Sequence, residues 1–330
     1  MKYLIKDASV YIDNSFSVVD LFVDGGTIVS IGQNLSCTDA IVISAKGRII
    51  FPGFSDVHVH LREPGFSYKE TVKSGTLAAA KGGYTSVCTM PNLKPCPDSV
   101  ENLNKQLEII EKDAVINVYP FGTITVGENG QTLSDMEGMA QNVIGFSDDG
   151  RGVQSEEMML SAMKKAKELE SMGVHILTIK DMAGLLKPYA AKTLISELKR
   201  ELNIPINLHT HDTTGSGVST VLMAAEAGVD IADMAIESMS SMTSQPSMNT
   251  IVSMLKGTER DTLLDIEELH KASEYYAKVR EVYKPFESGM YSPNAEIYKY
   301  EIPGGQYSNL LAQVKDMGEK DRFDDIKRLY

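Results

Sequence analysis

No tryptophan occurs in this chain of 330 residues, and cysteine (Cys37, Cys88, Cys96) and histidine (six residues) are scarce. Three scattered thiols exclude a disulfide framework, and without a Cys-x-x-Cys pair they exclude a cysteine-based zinc site too. They fit a reducing, cytoplasmic setting. No apolar run approaches the roughly 18–20 residues a bilayer span needs, and Met1–Asp7 lacks the apolar core of a signal peptide. Basic residues are in deficit: the net charge is -13, with no basic stripe to offer nucleic acid or an anionic membrane. An apolar fraction of 42% with 23% charged residues is that of a globular protein with a substantial core.

Scarcity makes the placement of the histidines informative. Four of the six form two pairs, His58 with His60 and His209 with His211. Residues two apart in a strand point to one face, so each pair converges on one spot, the first with Asp56 behind it. Convergent imidazoles are a common way for a strand to offer two nitrogens to one metal ion.

Residues 1–50 read as short strands with a hairpin turn at Asp24–Gly26. From residue 51 the pattern becomes strand, loop, helix, repeated. Seven strand-like runs cover 54–60, 84–90, 115–121, 143–147, 174–179, 206–211 and 231–236. Helix-like segments lie at 72–81, 101–112, 156–170, 188–202 and 218–227. Such alternation predicts an α/β fold with a parallel sheet, and histidines at strand C-termini fit a (β/α) barrel. A doubly wound open sheet satisfies the same pattern. After residue 248 the strands stop, and charged amphipathic helices follow, with a Gly-Gly turn at 304–305.

Around the first pair lie Arg62, the Met90–Asn92 segment and Ser147–Gly150, each at a strand end. A guanidinium and a carboxamide so placed would clamp a small carboxylate substrate. Asp148 is a candidate metal or metal-bridging ligand, against the ordinary reading of Asp-Asp-Gly as a turn. Pro52–Gly65, with Ala78–Val87, Met90–Asn92 and Phe146–Gly150, resembles the dihydroorotases of the amidohydrolase superfamily over about residues 1–168. The resemblance implies a zinc-dependent hydrolase of cyclic amides, active in pyrimidine biosynthesis. His58, His60 and Asp148 would be its metal ligands, Arg62 and Asn92 its substrate contacts, and residues 1–50 a small β-domain. The histidines that this family carries on its fifth and sixth strands, and the aspartate base on its eighth, are absent in their family context.

Lys180 ends another apolar strand, and His209 and His211 lie on the next. A buried lysine loses its proton readily, and the neutral amine can take up carbon dioxide to become an anionic oxygen ligand. The competing reading is an ion pair with Asp181 or Asp212. Gly173–Met182, Ile206–Thr213, Gly228–Asp233, Met242–Pro246 and Pro303–Leu310 resemble the carboxyltransferase domain of pyruvate carboxylase and oxaloacetate decarboxylase over about 165–330. This implies a carboxylated Lys180 ligating a metal with His209 and His211, and biotin as co-substrate. That family's first half-barrel and its downstream proton-shuttling threonine are missing. Ala162–Lys164 is not a biotin-attachment site, because Lys165 stands where methionine is required, on a helix rather than a hairpin.

The chain thus reads as a chimera of two half-barrels joined near 166–170, one strand short of a TIM barrel. The expected parts are a β-subdomain (1–50), a dihydroorotase-like half-barrel (51–170), a carboxyltransferase-like half-barrel (171–248) and a helical segment (249–330). A missing strand leaves an open edge, which predicts marginal stability or completion of the fold by another copy, as a homo-oligomer. All six candidate ligands, His58, His60, Asp148, Lys180, His209 and His211, are expected to face one cavity. They exceed the four that zinc usually takes, so one or two ions would leave some idle. With each parent's acid/base residue gone, the expectation is metal binding and impaired turnover.

Overall fold

A computed structural model describes residues 1–149, 158, 161, 164, 165, 167, 168, 176–287, 289–302 and 304–329. The chain divides into two compact units, Met1–Thr123 with Ser134–Ser147 and Ile124–Leu133 with Asp148–Tyr330. Most of the expected 156–170 helix and of the junction at 166–170, with Ala162–Met163, lie outside the described residues.

The first unit opens with strands β1 (Lys2–Ile12), β2 (Ser15–Asp24), β3 (Thr27–Gly32), β4 (Ile41–Ser44) and β5 (Ile49–Ile50), in the order β3-β2-β1-β4 with β5 also on β1. Gly25 and Gly26 both take positive φ, 57° and 85°, which is what a two-residue turn between right-twisted strands requires. Ala8, Val10, Leu21 and Ala45 bury one face of this sheet. A parallel sheet follows: β6 (Phe54–Val59), β7 (Tyr84–Thr89), β8 (Asn117–Gly122) and β9 (Gly145–Phe146), adjacent in chain order. Its crossover helices start where the sequence offers caps. Thr71 and Ser74 form a reciprocal capping box at Val72–Lys81, and the Ser99 hydroxyl caps Val100–Asp113.

The second unit holds the parallel sheet β10 (Leu177–Asp181), β11 (Ile206–Thr210) and β12 (Ile231–Asp233). Leu208 and Ile206 on β11 are fully buried against Ile195 and Leu198 of the Pro188–Glu201 helix, Val221 and Ala224 of the Gly217–Glu226 helix, and Ile251 and Val252 of the Met248–Leu255 helix. The fold is therefore α/β with two parallel sheets of the half-barrel kind, four strands and three among the described residues, beside a small N-terminal strand region. All seven expected strands are present.

After residue 248 the described elements are helical, as the sequence predicts, but Gly304 and Gly305 are not a turn between helices. They open the Gly304–Asp316 helix. Gly304 donates its N–H to the Met182 carbonyl at 3.1 Å, and a Cβ there would come within 3.1 Å of Thr213 Oγ1 and 3.2 Å of the Thr243 backbone. Close backbone approach, not a reversal of direction, sets the need for glycine. Among the described residues no helix is long and apolar enough to cross a membrane.

Candidate metal centre

In the first unit, β6 delivers His58 and His60 to one end of the sheet, as the alternation predicts. Their ring centroids are 5.2 Å apart, and the Asp56 carboxylate accepts the His58 N–H at 3.0 Å. Arg62 Nη1 donates to Asn92 Oδ1 at 3.1 Å, and His60 Nδ1 meets the same oxygen at 3.0 Å. A guanidinium only donates, so the Asn92 atom facing it is the carbonyl oxygen. His60 Nδ1 must then carry its proton, leaving Nε2 as the basic nitrogen. Arg62 reaches this position with φ +60°, and Asn92 reaches it from the end of β7. The structure thus brings together three of the residues singled out in the sequence, His60, Arg62 and Asn92.

In the second unit the strand register does the positioning. Lys180 on β10 is paired with His209 on β11, and His209 with Asp233 on β12, so the three stand in a row on one face. Asp233 Oδ2 takes His209 Nδ1 at 2.8 Å, and the Thr243 carbonyl takes His211 Nδ1 at 2.7 Å. Both partners are pure acceptors, so both Nδ1 atoms are protonated, and in the neutral rings both Nε2 atoms carry lone pairs. These two Nε2 atoms lie 3.3 Å apart. Two nitrogens bound at about 2.0–2.1 Å to one tetrahedral ion stand about 3.3–3.4 Å apart. The imidazole pair therefore fits a divalent metal, which would take the place of the one proton that makes this contact a hydrogen bond. The backbone that aims Thr243 is strained on purpose: Ser241 and Met242 both have positive φ, 69° and 56°, each at a cost of about 1–2 kcal/mol. Burial pushes the His211 imidazole below its ordinary pKa, with the Thr243 carbonyl opposing and His209 adding to the shift.

The Lys180 side chain is 18% exposed, and burial drives its pKa down although Asp149, Glu128 and Asp233 oppose that shift. Its ion-pair partner is neither Asp181 nor Asp212. Asp149, 4% exposed, holds the Lys180 amine. Asp181 is spent on its own loop, accepting from Leu185 N, Leu186 N and Thr210 Oγ1 at 2.8–3.0 Å, and Asp212 Oδ1 accepts the Gly217 N–H at 2.8 Å.

Asp148 turns away to another task. Its Oδ1 accepts the N–H groups of Ile124 and Thr125 at 2.8 and 3.0 Å, and its Oδ2 accepts the Thr125 hydroxyl, anchoring segment 124–133. That segment carries Glu128, 6% exposed and at φ +53°. Glu128, Asp149 and Asp233 are the site-lining residues that sequence reasoning missed. Asp149 stood beside the chosen Asp148 and was separable from it only by side-chain direction.

Known proteins resemble the chain in two pieces. A Dihydro-orotase-like family model matches residues 47–182, an HMGL-like model 136–275, and a Conserved carboxylase domain model 297–330. A dihydroorotase of Fusobacterium nucleatum is 52% identical over 166 residues, which is 50% of this chain and 39% of that protein. A pyruvate carboxylase of Staphylococcus aureus is 55% identical over 168 residues, 51% of this chain and 15% of that protein. The solved carboxyl transferase domain of Rhizobium etli pyruvate carboxylase with pyruvate matches 78% of this chain and 39% of its own, at 35% identity and a TM-score of 0.54. The chain thus spans well under half the length of these relatives. It is similar to dihydroorotases over one half and to pyruvate carboxylases over the other.

Proposed function

We propose that this chain is a divalent-metal-binding fusion of a dihydroorotase-like and a carboxyltransferase-like segment, with impaired turnover or none. The observation that carries the reading is the 3.3 Å separation of His209 and His211 Nε2, each imidazole fixed from behind by an acceptor. Lys180 and Asp149 stand beside that pair as candidate oxygen donors, Lys180 after carboxylation of its amine. In the first unit His58 and His60 are a second imidazole pair for a zinc-type ion. Asp148 is the weaker ligand candidate, because three donors already occupy its oxygens.

A bound divalent ion would supply Lewis-acid polarisation of a carbonyl or of water. The chain's residues supply the rest: Asp233 and Thr243 fix ring orientation, and Arg62 with Asn92 receives a small carboxylate. Hydrolysis of a cyclic amide, as in dihydroorotases, is favoured over carboxyl transfer by one feature, the Arg62–Asn92–His60 cluster beside the first pair. Biotin enters only under the carboxyltransferase reading. The aspartate base of dihydroorotases is absent in its family context, so proton transfer is the step expected to fail in ring hydrolysis.

Metal content and calorimetric titration with zinc, manganese and cobalt test this directly. Replacing His209 and His211 together by alanine should abolish one equivalent of bound metal, and replacing His58 and His60 should abolish another. Unchanged stoichiometry in the His209/His211 double variant refutes the proposal. Dihydroorotate ring opening and oxaloacetate decarboxylation with free biotin separate the catalytic alternatives, and robust turnover in either overturns the reading of impaired activity.

A further inference from the structure

The N-terminal sheet ends on a strand whose composition is unusual for an edge. Among the described strands β4 pairs only with β1, in unbroken parallel register from Tyr3–Ile41 to Lys6–Ser44. Ile41, Val42 and Ile43 are 53%, 61% and 42% exposed, so successive side chains are open on both faces. Edge strands in monomers are blunted by shortness, charge, proline or a bulge. β4 is short, at four residues, but carries no charge, proline or bulge.

The surface beside it is also apolar. Register places Tyr11 opposite Phe16 and Ser9 opposite both Val18 and Ile49, on one face of the sheet. The rings of Tyr11, Phe16 and Phe51 cluster with centroids 5.2–5.3 Å apart. A contact through the backbone edge leaves this sheet face uncovered, so edge and face can be tested separately.

The sequence of β4 says what fits there. Ile41-Val42-Ile43 reads the same in both directions. A two-fold axis normal to the sheet, passing Val42, sets Val42 against Val42 of the second copy and Ile41 against its Ile43. All three cross-strand pairs are then β-branched and apolar, the kind that stabilise antiparallel strands. The two neighbouring registers allowed by the same symmetry, centred on Ile43 or on Ile41, set Val42 against Ser44 or against Ala40, and each loses two of them. We infer that β4 is an intermolecular edge, closed by β4 of a second copy of this chain in antiparallel pairing centred on Val42.

This is independent of metal binding and is tested on the full chain carrying Cys37→Ser, which leaves only the two buried cysteines, Cys88 and Cys96. Light scattering should give twice 36.1 kDa at micromolar concentration. Val42→Lys brings two ammonium groups together at the axis and should weaken the dimer about tenfold or more, with unchanged circular dichroism. Val42→Cys should form a covalent dimer on mild oxidation, because opposed Cα atoms about 4.5–5.5 Å apart suit a disulfide. Asp39→Cys, which would face Ala45, should not. A monomer at every concentration, a dimer indifferent to Val42→Lys, or equal cross-linking by both cysteine variants overturns the inference. So does a dimer lost on Phe16→Ser with Val18→Ser but kept with Val42→Lys, which would place the contact on the sheet face instead.

Discussion

Replacing Asp233 by asparagine keeps the side-chain volume and removes the charge that faces His209 Nδ1 at 2.8 Å. The carboxylate can only accept, so it holds the His209 proton on Nδ1 and the lone pair on Nε2. A carboxamide can turn and donate to Nδ1, which moves the proton to Nε2 and aims an N–H at His211 Nε2, 3.3 Å away. One of the two metal-facing lone pairs is then lost. Removing an outer partner of a ligating histidine typically costs 10–100-fold in metal affinity. That corresponds to about 1.4–2.7 kcal/mol. The effect on folding should be smaller, below about 1 kcal/mol, because the Asp233 side chain is 41% exposed and solvent screens the pair. Calorimetric titration with zinc at pH 7.5 reads the affinity, and ¹⁵N shifts of the His209 ring read the tautomer. An Asp233→Asn variant with native affinity and an unmoved Nδ1 proton would refute the argument that register places a metal-directing row across β10, β11 and β12.

The remaining expectations concern stability and the two aspartates. The folded chain resists protonating His211, whereas the unfolded chain takes the proton at its ordinary value near 6.5. The unfolded state therefore binds more protons, and the His211 contribution is intact above pH 6.5 and lost as pH falls below it. Urea midpoints of metal-free protein at pH 5.5 and 7.5 should show the drop, and His211→Gln should flatten it. Leu208→Ala empties a fully buried position among three helices and should cost about 2–5 kcal/mol in chemical unfolding. Asp149→Ala strands the sequestered Lys180 amine and should cost up to about 3–5 kcal/mol, reduced where the amine sheds its proton. Asp148→Ala instead releases the Ile124 and Thr125 donors, and limited proteolysis should then cut within 124–133, which Asp149→Ala leaves protected.

What was legible in the sequence follows from the range over which each interaction is encoded. Strand alternation is local, so all seven barrel-type strands and the convergence of His58 with His60 and His209 with His211 could be read from neighbours alone. Helix starts were legible for the same reason, since Thr71 and Ser99 cap the turns they immediately precede. Pairing between strands is not local. Asp233 joins His209 only because β11 and β12 align those two residues, and a slip of one would turn Asp233 to the opposite face. The partner of Lys180 is likewise 31 residues away, and the nearer candidates Asp181 and Asp212 were lost to loop and helix-start donors that no spacing rule announces. Asp148 and Asp149 make the point sharpest. The two adjacent carboxylates take different partners, Asp148 the backbone of segment 124–133 and Asp149 the Lys180 amine. Composition cannot choose between them, and only the fold of segment 124–133 does: its unpaired N–H groups claim Asp148, and that claim is what delivers Asp149 to Lys180.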